Sequence, residues 1–335
     1  MPFKIAINGY GRIGRCILRS YYESTEYANL RICAINDIAN IETLAHLTEF
    51  DSTHGRFLGE ISSGDGILLV NKDVITVTNT RDIENLPWSE LDIDLVMECS
   101  GTFTERLYAE KHLEAGARKV LFSQPAEKDV DATVVYGFNH DLLSEREQII
   151  SNASCTTNCF VPMVQVLDQA FGVEKGLMTT VHAYTGDQSL VDGPHSDLRR
   201  ARASAVNIIP TSTGAARATG LVLQSMNGKL DGTSLRVPIP DGSITDFTAV
   251  LDSAPSVDEI NEAFKVAAST APLAGILSYS EDPLVSADIV GDPSSCVFDA
   301  GLTMTMDNLV KVSGWYDNEW GYSNRLVDLV GITCG

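Results

Sequence analysis

Basic residues are scarce in this chain, which has 24 lysines and arginines against 45 aspartates and glutamates and a formal net charge of −21. A surface of this sign repels nucleic acid and anionic membranes, so we expect neither as a partner. It also repels phosphorylated small molecules at long range. Any phosphate that binds here therefore needs local arginines or helix N-termini, which present unpaired N–H groups.

The sequence also lacks any apolar run of the roughly 18 residues that a membrane helix needs. Its seven cysteines are irregularly spaced and include no Cys-x-x-Cys pair, which predicts neither a disulfide framework nor a metal site. The first residues lead straight into a strand, without the pattern of a secretory signal peptide. We therefore expect a cytoplasmic protein without a bound metal, in a compartment that keeps thiols reduced.

A dinucleotide-binding pattern stands at the start of the chain. A strand at residues 3–8 leads into Gly9-Tyr10-Gly11-Arg12-Ile13-Gly14. A predicted helix over about 12–22 follows, and then a second strand that ends before Asp37. The three glycines permit a tight turn, a close approach of the backbone to a pyrophosphate, and close packing of helix on strand. An acidic residue at Asp37 accepts hydrogen bonds from ribose hydroxyls and repels a 2′-phosphate, which predicts NAD rather than NADP. A solvated turn residue is the alternative for Asp37.

Strands and helices continue to alternate as far as about residue 150. Further strands are predicted at 95–99, 119–122, 131–136 and 148–151, with a helix over about 104–115. This pattern predicts an α/β domain with a Rossmann-type, doubly wound and mostly parallel sheet.

The second half of the chain follows a different pattern. Predicted strands with few helices between them lie at 177–184, 234–237, 245–251, 296–300 and 309–315. Such a pattern favours an α+β domain with a mixed or antiparallel sheet. A helix is predicted over 257–269, and another over 318–330.

The stretch 151–159, Ser-Asn-Ala-Ser-Cys-Thr-Thr-Asn-Cys, places Cys155 where an apolar helical run begins. A thiol at the first turn of a helix faces unpaired N–H groups and the positive end of the helix dipole, which favour the thiolate. The surrounding hydroxyls and amides suit an anionic substrate or a developing oxyanion. The alternative is a capped helix with a buried, inert cysteine. Cys159, one turn further on, is expected to be a packing residue.

His182 and a group of arginines are the other chemical candidates. A lone histidine on a strand is most often structural, whereas a Cys–His pair activates the thiol and moves protons. The polar segment 184–210 is longer than most ordinary loops, which favours a functional role, and it carries Arg199, Arg200 and Arg202. Guanidinium groups suit phosphate oxygens, and salt bridges to the many carboxylates are the alternative. The hydroxyl-rich run 211–216 opens a helix and is a further candidate phosphate site.

Six motifs occur in the order in which one known enzyme family has them. They lie at residues 6–15, 151–159, 182–185, 197–202, 208–216 and 315–323. With these motifs the chain resembles the phosphorylating glyceraldehyde-3-phosphate dehydrogenases over essentially its full length. The resemblance implies NAD-dependent oxidation of D-glyceraldehyde 3-phosphate to 1,3-bisphosphoglycerate, with inorganic phosphate as the second substrate.

The resemblance also implies a role for each site residue. Cys155 forms a thiohemiacetal with the aldehyde, and His182 lowers the thiol pKa and removes the hydroxyl proton as the thioester forms. Thr185 and Arg236 bind the phosphate of the substrate, with Asp187 orienting Arg236. The attacking phosphate is held by Ser154, Thr156, Arg200, Thr213 and Gly214. Implied cofactor contacts are Arg12, Ile13, Asp37, Arg81, Ser123 and Asn318, together with Gly9, Gly11 and Gly14.

We expect an NAD-binding domain over residues 1–151 and a catalytic domain over 152–317, with a C-terminal helix over about 318–335 that packs back on the first domain. The arginine-rich segment matches a loop that packs across a subunit interface in the family, which implies a homotetramer.

Two alternatives differ from this interpretation. Erythrose-4-phosphate dehydrogenase is a close relative, and Ser123-Gln124-Pro125 departs from the Ser-Ala-Pro common in the glyceraldehyde enzymes. The run 182–187, however, keeps the threonine and aspartate of the phosphate site. A non-catalytic NAD-binding redox sensor, with reversible oxidation of Cys155, is the alternative from another class. The complete set of Cys, His and phosphate residues argues against it.

Overall fold

The computed structural model describes residues 2–24, 27–127 and 129–333. The chain divides into two compact units, Met1–Ala153 with Ser323–Gly335 and Ser154–Tyr322. Each unit contains a sheet of its own. The predicted combination of a mostly parallel α/β sheet with a second, mixed sheet is confirmed.

The first unit is built around a strand that is buried on both faces. Ile5, Ala6 and Ile7 are at most 2% exposed, because both faces of a central parallel strand are covered. The strands of this unit are β1 (Phe3–Asn8), β2 (Leu30–Asn36), β3 (Phe50–Asp51), β4 (Gly55–Arg56), β5 (Ile61–Gly64), β6 (Ile67–Val70), β7 (Asp73–Thr78), β8 (Leu95–Glu98), β9 (Lys119–Phe122), β10 (Ala132–Thr133) and β11 (Ile149–Ser151). Its helices are α1 (Arg12–Glu23), α2 (Ile41–Glu49), α3 (Trp88–Leu91) and α4 (Arg106–Glu114).

The main sheet of this unit has the order β10-β11-β9-β8-β1-β2-β7-β6-β5. Neighbouring strands from β10 to β7 pair in parallel, whereas β7, β6 and β5 form an antiparallel meander that the sequence patterns did not predict. The strand predicted over 131–136 shortens to β10. There the Asn139 side chain accepts the Val135 N–H at 2.9 Å, and the chain turns at Gly137, whose φ is 88°.

The second unit carries a mixed sheet with the order β13-β14-β12-β15-β19-β17-β16, and β18 pairs with β19. Its strands are β12 (Val173–Ala183), β13 (Ile209–Ser212), β14 (Leu230–Val237), β15 (Ser243–Leu251), β16 (Leu277–Ser280), β17 (Cys296–Asp299), β18 (Met304–Met306) and β19 (Leu309–Tyr316). Its helices are α5 (Cys155–Phe171), α6 (Ala215–Val222) and α7 (Val257–Ala268), and α8 (Trp320–Thr333) begins at its end.

Buried and partly exposed side chains alternate along β15 and show how this sheet forms its core. Every second residue from Ser243 to Leu251 is buried, which is the period of a strand with one face against a helix layer. On that face Phe247 packs edge-on against Phe160 of α5, with ring centroids 4.8 Å apart. The start of α7 follows its predicted signal, because Ser256 and Glu259 form a reciprocal capping box.

Helix α8 starts at Trp320, two residues later than predicted, and its residues from Ser323 onward belong to the first unit. There the Ser20 hydroxyl of α1 donates to the Asn324 side-chain oxygen at 2.9 Å. The last two residues of the predicted helix, 334–335, lie outside the described residues.

Candidate active site

Cys155 is the first residue of α5, as the sequence predicts. Ser154 caps the helix, because its Oγ accepts the Thr157 N–H at 3.1 Å. The thiol is half-buried, whereas Cys159 one turn further on is fully buried against β19, where it donates to the Gly314 carbonyl at 3.6 Å. The two cysteines of this stretch therefore differ in accessibility, and Cys159 has the surroundings of a packing residue.

His182 lies near the end of β12 and is 4% exposed. Its Nε2 atom is 3.4 Å from the Cys155 sulfur, so the fold brings together two residues that are 27 positions apart in the chain. This distance suits proton transfer between the thiol and the imidazole.

Burial disfavours the charged form of both members of this pair. Burial raises the pKa of the Cys155 thiol to about 11, although the positive charge of Arg236 opposes the shift. Burial and the same Arg236 lower the pKa of His182 to about 3. This burial opposes the expected stabilisation of the Cys155 thiolate by the N–H groups at the helix start, and the thiolate stays a prediction.

Arg236 reaches His182 because the two residues face each other across the parallel pair of β12 and β14. Its Nη1 atom lies 2.6 Å from His182 Nδ1 and donates to the Ala183 carbonyl at 3.0 Å. Arg200 lies in the polar segment, where its Nη1 donates to Asp187 Oδ2 at 2.6 Å. Asp187 thus hydrogen-bonds to Arg200, and its predicted part in orienting Arg236 stays a prediction. His195 is the second partner of Asp187, at 3.3 Å.

The remaining predicted phosphate residues have different surroundings. Gly214 is exposed at the start of α6, and the Thr213 hydroxyl beside it accepts the Ala215 N–H at 3.2 Å. Thr185 is half-buried, and its backbone N–H donates to the Gln188 side chain. Thr156 is 5% exposed. Phosphate binding by these residues and by Ser154 stays a prediction.

Tyr316 is a site residue that the sequence reasoning missed. Its hydroxyl bonds to Thr156 Oγ1 at 2.9 Å and to Thr180 Oγ1 at 2.7 Å, and its ring meets the His182 ring edge-on. It ties the helix of Cys155 to the strand of His182. The motif at 315–323 contains this tyrosine, but only the pairing of β19 with β15 brings it next to β12.

Asn318 follows β19 and is 5% exposed. Its side-chain oxygen accepts a hydrogen bond from the Ser243 hydroxyl at 2.6 Å, and that hydroxyl in turn accepts the Ala183 N–H at 3.1 Å. One serine oxygen therefore connects the residue after His182 to the residue predicted to contact the cofactor.

In the first unit, the carboxyl ends of the parallel strands surround a cavity of about 520 Å³. It is lined by Asn8, Gly9, Gly11, Asn36, Asp37, Ile38, Thr80, Arg81, Ile83, Cys99, Ser100, Thr102 and Phe103. The Asp37 carboxylate accepts the N–H groups of Tyr10 and Ala39, at 2.7 and 2.9 Å. Four of the predicted cofactor residues thus meet here: Gly9, Gly11, Asp37 and Arg81.

The three glycines of the turn differ in the space around them. A Cβ on Gly9, whose φ is +88°, would lie 2.4 Å from the Ser100 backbone, and one on Gly14 would lie 2.4 Å from the Gly9 carbonyl. A Cβ on Gly11 would meet nothing within 4 Å. The first and third glycines are therefore needed for packing, whereas the second faces open space in the cavity.

The other predicted cofactor residues of this unit lie outside the lining of the cavity. Arg12 begins α1 and pairs with Asp51, whose pKa the pairing and two backbone N–H groups lower. Ile13 follows it in the helix, and Ser123 is buried just after β9. Cofactor contacts of these three residues stay predictions.

A buried polar network supports the floor of this cavity, and the sequence reasoning missed it. Glu98 is fully buried at the end of β8. Its carboxylate accepts hydrogen bonds from Asn8 Nδ2 at 2.6 Å, from the Ser100 N–H at 2.9 Å and from His112 Nε2 at 3.0 Å. Trp88 donates to His112 Nδ1, which fixes the proton of this imidazole on Nε2.

Comparison with known proteins agrees with this geometry. Residues 3–106 match the model of the NAD binding domain of glyceraldehyde 3-phosphate dehydrogenase, and residues 154–318 match that of its C-terminal domain. The chain is similar to glyceraldehyde-3-phosphate dehydrogenases from Streptomyces coelicolor (53% identical, 98% of both chains) and Mycobacterium avium (54% identical, 99% of this chain and 98% of the relative). A plasmid-encoded enzyme of that name from Cupriavidus necator is 52% identical over 98% of this chain and 97% of its own.

The chain belongs to the glyceraldehyde-3-phosphate dehydrogenase family. The predicted family is thus confirmed, and so is NAD as its cofactor.

The cavity of the first unit fits the cofactor of this family. Open space at Gly11 admits a pyrophosphate next to the backbone, and the N-terminus of α1 presents N–H groups to it. The Asp37 carboxylate at the end of β2 lines the cavity and matches the acidic residue that binds ribose hydroxyls. Gly9, Gly11 and Asp37 would therefore hold the cofactor here.

No helix within residues 2–24, 27–127 and 129–333 combines the length and apolar character that crossing a membrane requires.

Proposed function

We propose that this chain oxidises D-glyceraldehyde 3-phosphate to 1,3-bisphosphoglycerate, using NAD and inorganic phosphate. The observation that carries the proposal is the Cys155–His182 pair, 3.4 Å apart at the start of α5, with the guanidinium of Arg236 beside it. Relatives 52–54% identical over nearly the whole chain bear the name of this enzyme.

The first step is addition of the Cys155 sulfur to the aldehyde carbon. The neutral imidazole of His182 takes the thiol proton and passes it to the aldehyde oxygen, which becomes the hydroxyl of a thiohemiacetal. A raised thiol pKa makes this base necessary, because little thiolate exists at neutral pH without it.

In the second step His182 removes the hydroxyl proton as the carbonyl of the thioester forms. The bound cofactor supplies the acceptor for the hydride that leaves the same carbon. Inorganic phosphate then attacks the thioester, the C–S bond breaks, and the protonated His182 returns its proton to the sulfur. The thioester keeps the acyl group activated, so that it is transferred to phosphate.

Two arginines supply positive charge for the two phosphate groups. Arg236 lies against His182, and we assign it to the phosphate of the substrate, together with Thr185. Arg200, with Ser154, Thr156, Thr213 and Gly214, is assigned to the attacking phosphate. In a chain with a net charge of −21, such local cations are what an anionic substrate requires.

We further propose an NAD-binding domain over 1–151, completed by the C-terminal helix, and a catalytic domain over 152–317. The division into two compact units supports this organisation. The proposal includes a homotetramer that works in the cytoplasm, both of which rest on the family resemblance.

The proposal is tested by measuring NADH formation from glyceraldehyde 3-phosphate and from erythrose 4-phosphate, each with and without inorganic phosphate. We expect a strongly phosphate-dependent reaction with the triose. A phosphate-independent reaction that prefers the tetrose would overturn the assignment in favour of erythrose-4-phosphate dehydrogenase.

Substitution of the two cysteines of α5 tests the mechanism. Cys155→Ser should lower kcat by about a thousandfold or more, because a hydroxyl is a far weaker nucleophile than a thiol. Cys159→Ser is the matched control and should keep kcat within about a few-fold, since Cys159 packs against Gly314. Equal loss of kcat in both variants would contradict the assigned roles.

A further inference from the structure

Three sulfur atoms meet at one point in the layer between α5 and the sheet of the second unit. That point is the position that a Cβ on Gly314 of β19 would take. It lies 2.6 Å from Cys296 Sγ, 2.8 Å from Met163 Sδ and 3.5 Å from Cys159 Sγ. Outside Gly314 and its chain neighbours, the three nearest atoms to this point are therefore all sulfur, and the glycine leaves room for an atom between them.

One helix and two strands bring these sulfur atoms together. Cys159 and Met163 lie one turn apart on α5, so they share one face of the helix. Phe298 of β17 stands opposite Gly314 of β19, and Cys296, two residues before Phe298, lies on the same side of the sheet. The spacing of the cysteines in the sequence predicts no metal site, because Cys296 reaches Cys159 only through this strand pairing.

The sulfur cluster is closed to water. Cys159, Met163 and Cys296 are each 0% exposed. Burial and a hydrogen bond between the two thiols raise the pKa of Cys159 well above its ordinary value. Without an ion, Cys159 is therefore a neutral thiol that packs against β19.

A buried hydroxyl is directed at the same cluster. Thr245 of β15 stands opposite Gly314 in the antiparallel pair of β15 and β19 and is 0% exposed. Among the residues that the structure describes, its Oγ1 atom has no oxygen or nitrogen partner. The hydroxyl faces the sulfur of Cys159 and lowers the pKa of that thiol. A hydrogen-bond donor in this position stabilises a thiolate that binds a metal ion.

Two thiols and a thioether, with no oxygen or nitrogen among the three nearest atoms, are the ligands of a soft cation. Structural zinc sites take four ligands in a tetrahedron, whereas this cluster supplies three, which favours Cu⁺ over Zn²⁺. Bonds between a first-row ion such as zinc and a thiolate sulfur are about 2.3 Å long. An ion near the open position at Gly314 therefore reaches Cys296 and Met163 at once, and Cys159 after a small movement of its side chain.

We propose that Cys159, Met163 and Cys296 form a buried binding site for one Cu⁺ ion, at the position that Gly314 leaves open. The ion replaces the proton of Cys159, which leaves for water, so that the buried cluster keeps a charge of zero and no electron is transferred. Cys155, half-buried and one turn before Cys159 on the same helix face, offers the ion its first sulfur on the way in. The site is separate from the reaction proposed above.

The test is a titration of Cu⁺ against a chromophoric chelator in the absence of oxygen. It uses Cys155→Ser protein as the parent, so that the thiol of the active site does not contribute. We expect the parent to hold one Cu⁺ ion per chain. Cys296→Ser in this parent should weaken the affinity by more than about a hundredfold, because loss of a ligand costs more than loss of a ligand's hydrogen-bond partner.

Two further variants of the same parent keep the size of the side chain that they replace. Met163→Leu conserves volume and apolar character, so the core should still pack, but loss of the thioether should weaken the affinity at least about tenfold. Thr245→Val removes the hydroxyl that faces Cys159 and should weaken it about tenfold. The matched control is Cys33→Ser, which removes a half-buried cysteine of β2 in the first unit and should leave the affinity unchanged.

X-ray absorption at the copper edge gives a second readout on the loaded parent. We expect three sulfur neighbours of the ion in the parent and two in Met163→Leu. A parent that loses all its Cu⁺ to the chelator would overturn the inference, as would oxygen or nitrogen ligands in the spectrum. An affinity that neither Met163→Leu nor Cys296→Ser changes would show that the ion binds elsewhere and would overturn it too.

Discussion

At the scale of single residues, the buried imidazole of His182 links the active site to the stability of the protein. Its pKa is lowered to about 3 by burial and by Arg236, so it stays neutral in the native state where an unfolded histidine binds a proton. Below about pH 6.5 the unfolded chain therefore holds one more proton than the native chain at this position. This residue lowers the free energy of unfolding as the pH falls from about 6.5 to about 3, by up to about 1.4 kcal/mol per pH unit.

We predict that His182→Asn makes the free energy of unfolding less dependent on pH between about 6.5 and 3. The measurement is urea unfolding at a series of pH values in that window, compared with wild type. His46→Asn, at an exposed position of α2, controls for the loss of an imidazole as such. If the free energy of unfolding depends as steeply on pH in His182→Asn as in wild type, a buried neutral imidazole at this position is contradicted.

Glu98 gives a second prediction at this scale. Its carboxylate accepts from Asn8, Ser100 and His112, whereas a glutamine has one acceptor oxygen and would bring its own NH₂ group against these donors. Glu98→Gln should lower the free energy of unfolding by about 1–3 kcal/mol, the typical cost of an unsatisfied buried donor. Glu110→Gln breaks only a half-exposed pair with Arg106 and should cost less than about 1 kcal/mol in the same denaturant series.

Cys155 and His182 could be named as candidates from the sequence because each lies in a short motif with a recognisable residue pattern. Tyr316 and Glu98 were not, since their partners are distant in sequence: Thr156 lies 160 positions from Tyr316, and Asn8 lies 90 positions from Glu98. The burial that raises the pKa of the Cys155 thiol was not predictable either. Sequence shows the helix start at Cys155, but it does not show the desolvation that opposes it.

At the scale of elements, different glycines of the turn between β1 and α1 serve folding and cofactor binding. Gly11 has a φ of −75°, which any residue adopts, and open space in place of its Cβ. We predict that Gly11→Ala keeps the melting temperature within a few degrees of wild type but weakens NAD binding at least about tenfold, because its methyl group enters the cavity. Calorimetric titration with NAD and thermal unfolding measure the two effects.

Gly14→Ala is the matched variant for that experiment. Its methyl group would meet the Gly9 carbonyl at 2.4 Å, so the backbone must shift and the melting temperature should fall clearly. Equal melting temperatures for Gly11→Ala and Gly14→Ala would show that the two glycines do not have the separate roles assigned here.

The elements that the sequence predicted well are those whose apolar residues form a clear pattern or whose ends carry a capping or turn signal. The strands at 3–8 and 119–122 have the predicted bounds, since each is a short apolar run next to a turn. The meander of β5, β6 and β7 was missed because its strands are short and partly exposed, so that their apolar pattern is weak. Strand β13 was missed at the junction of the polar segment 184–210 and the run 211–216 that was predicted to open a helix, because its pairing with β14 is a long-range contact.

At the scale of the whole molecule, the large negative charge should oppose the proposed assembly of copies of the chain. We predict a sedimentation mass of about four times the chain mass of 36.2 kDa, because the family resemblance implies a homotetramer. Equilibrium sedimentation at low and at physiological salt is the measurement. With 45 acidic residues in each chain, salt should favour assembly by screening repulsion between copies. A single-chain mass at both salt concentrations would contradict the proposal.

The Ser243 hydroxyl joins the Ala183 N–H to the Asn318 side chain through one oxygen atom, with contacts of 3.1 and 2.6 Å. Two hydrogen bonds through one hydroxyl therefore couple the end of β12 to Asn318. The strand end that carries His182 and the predicted cofactor contact Asn318 are thus anchored to the same serine, so that a change at Ser243 should alter both positions together.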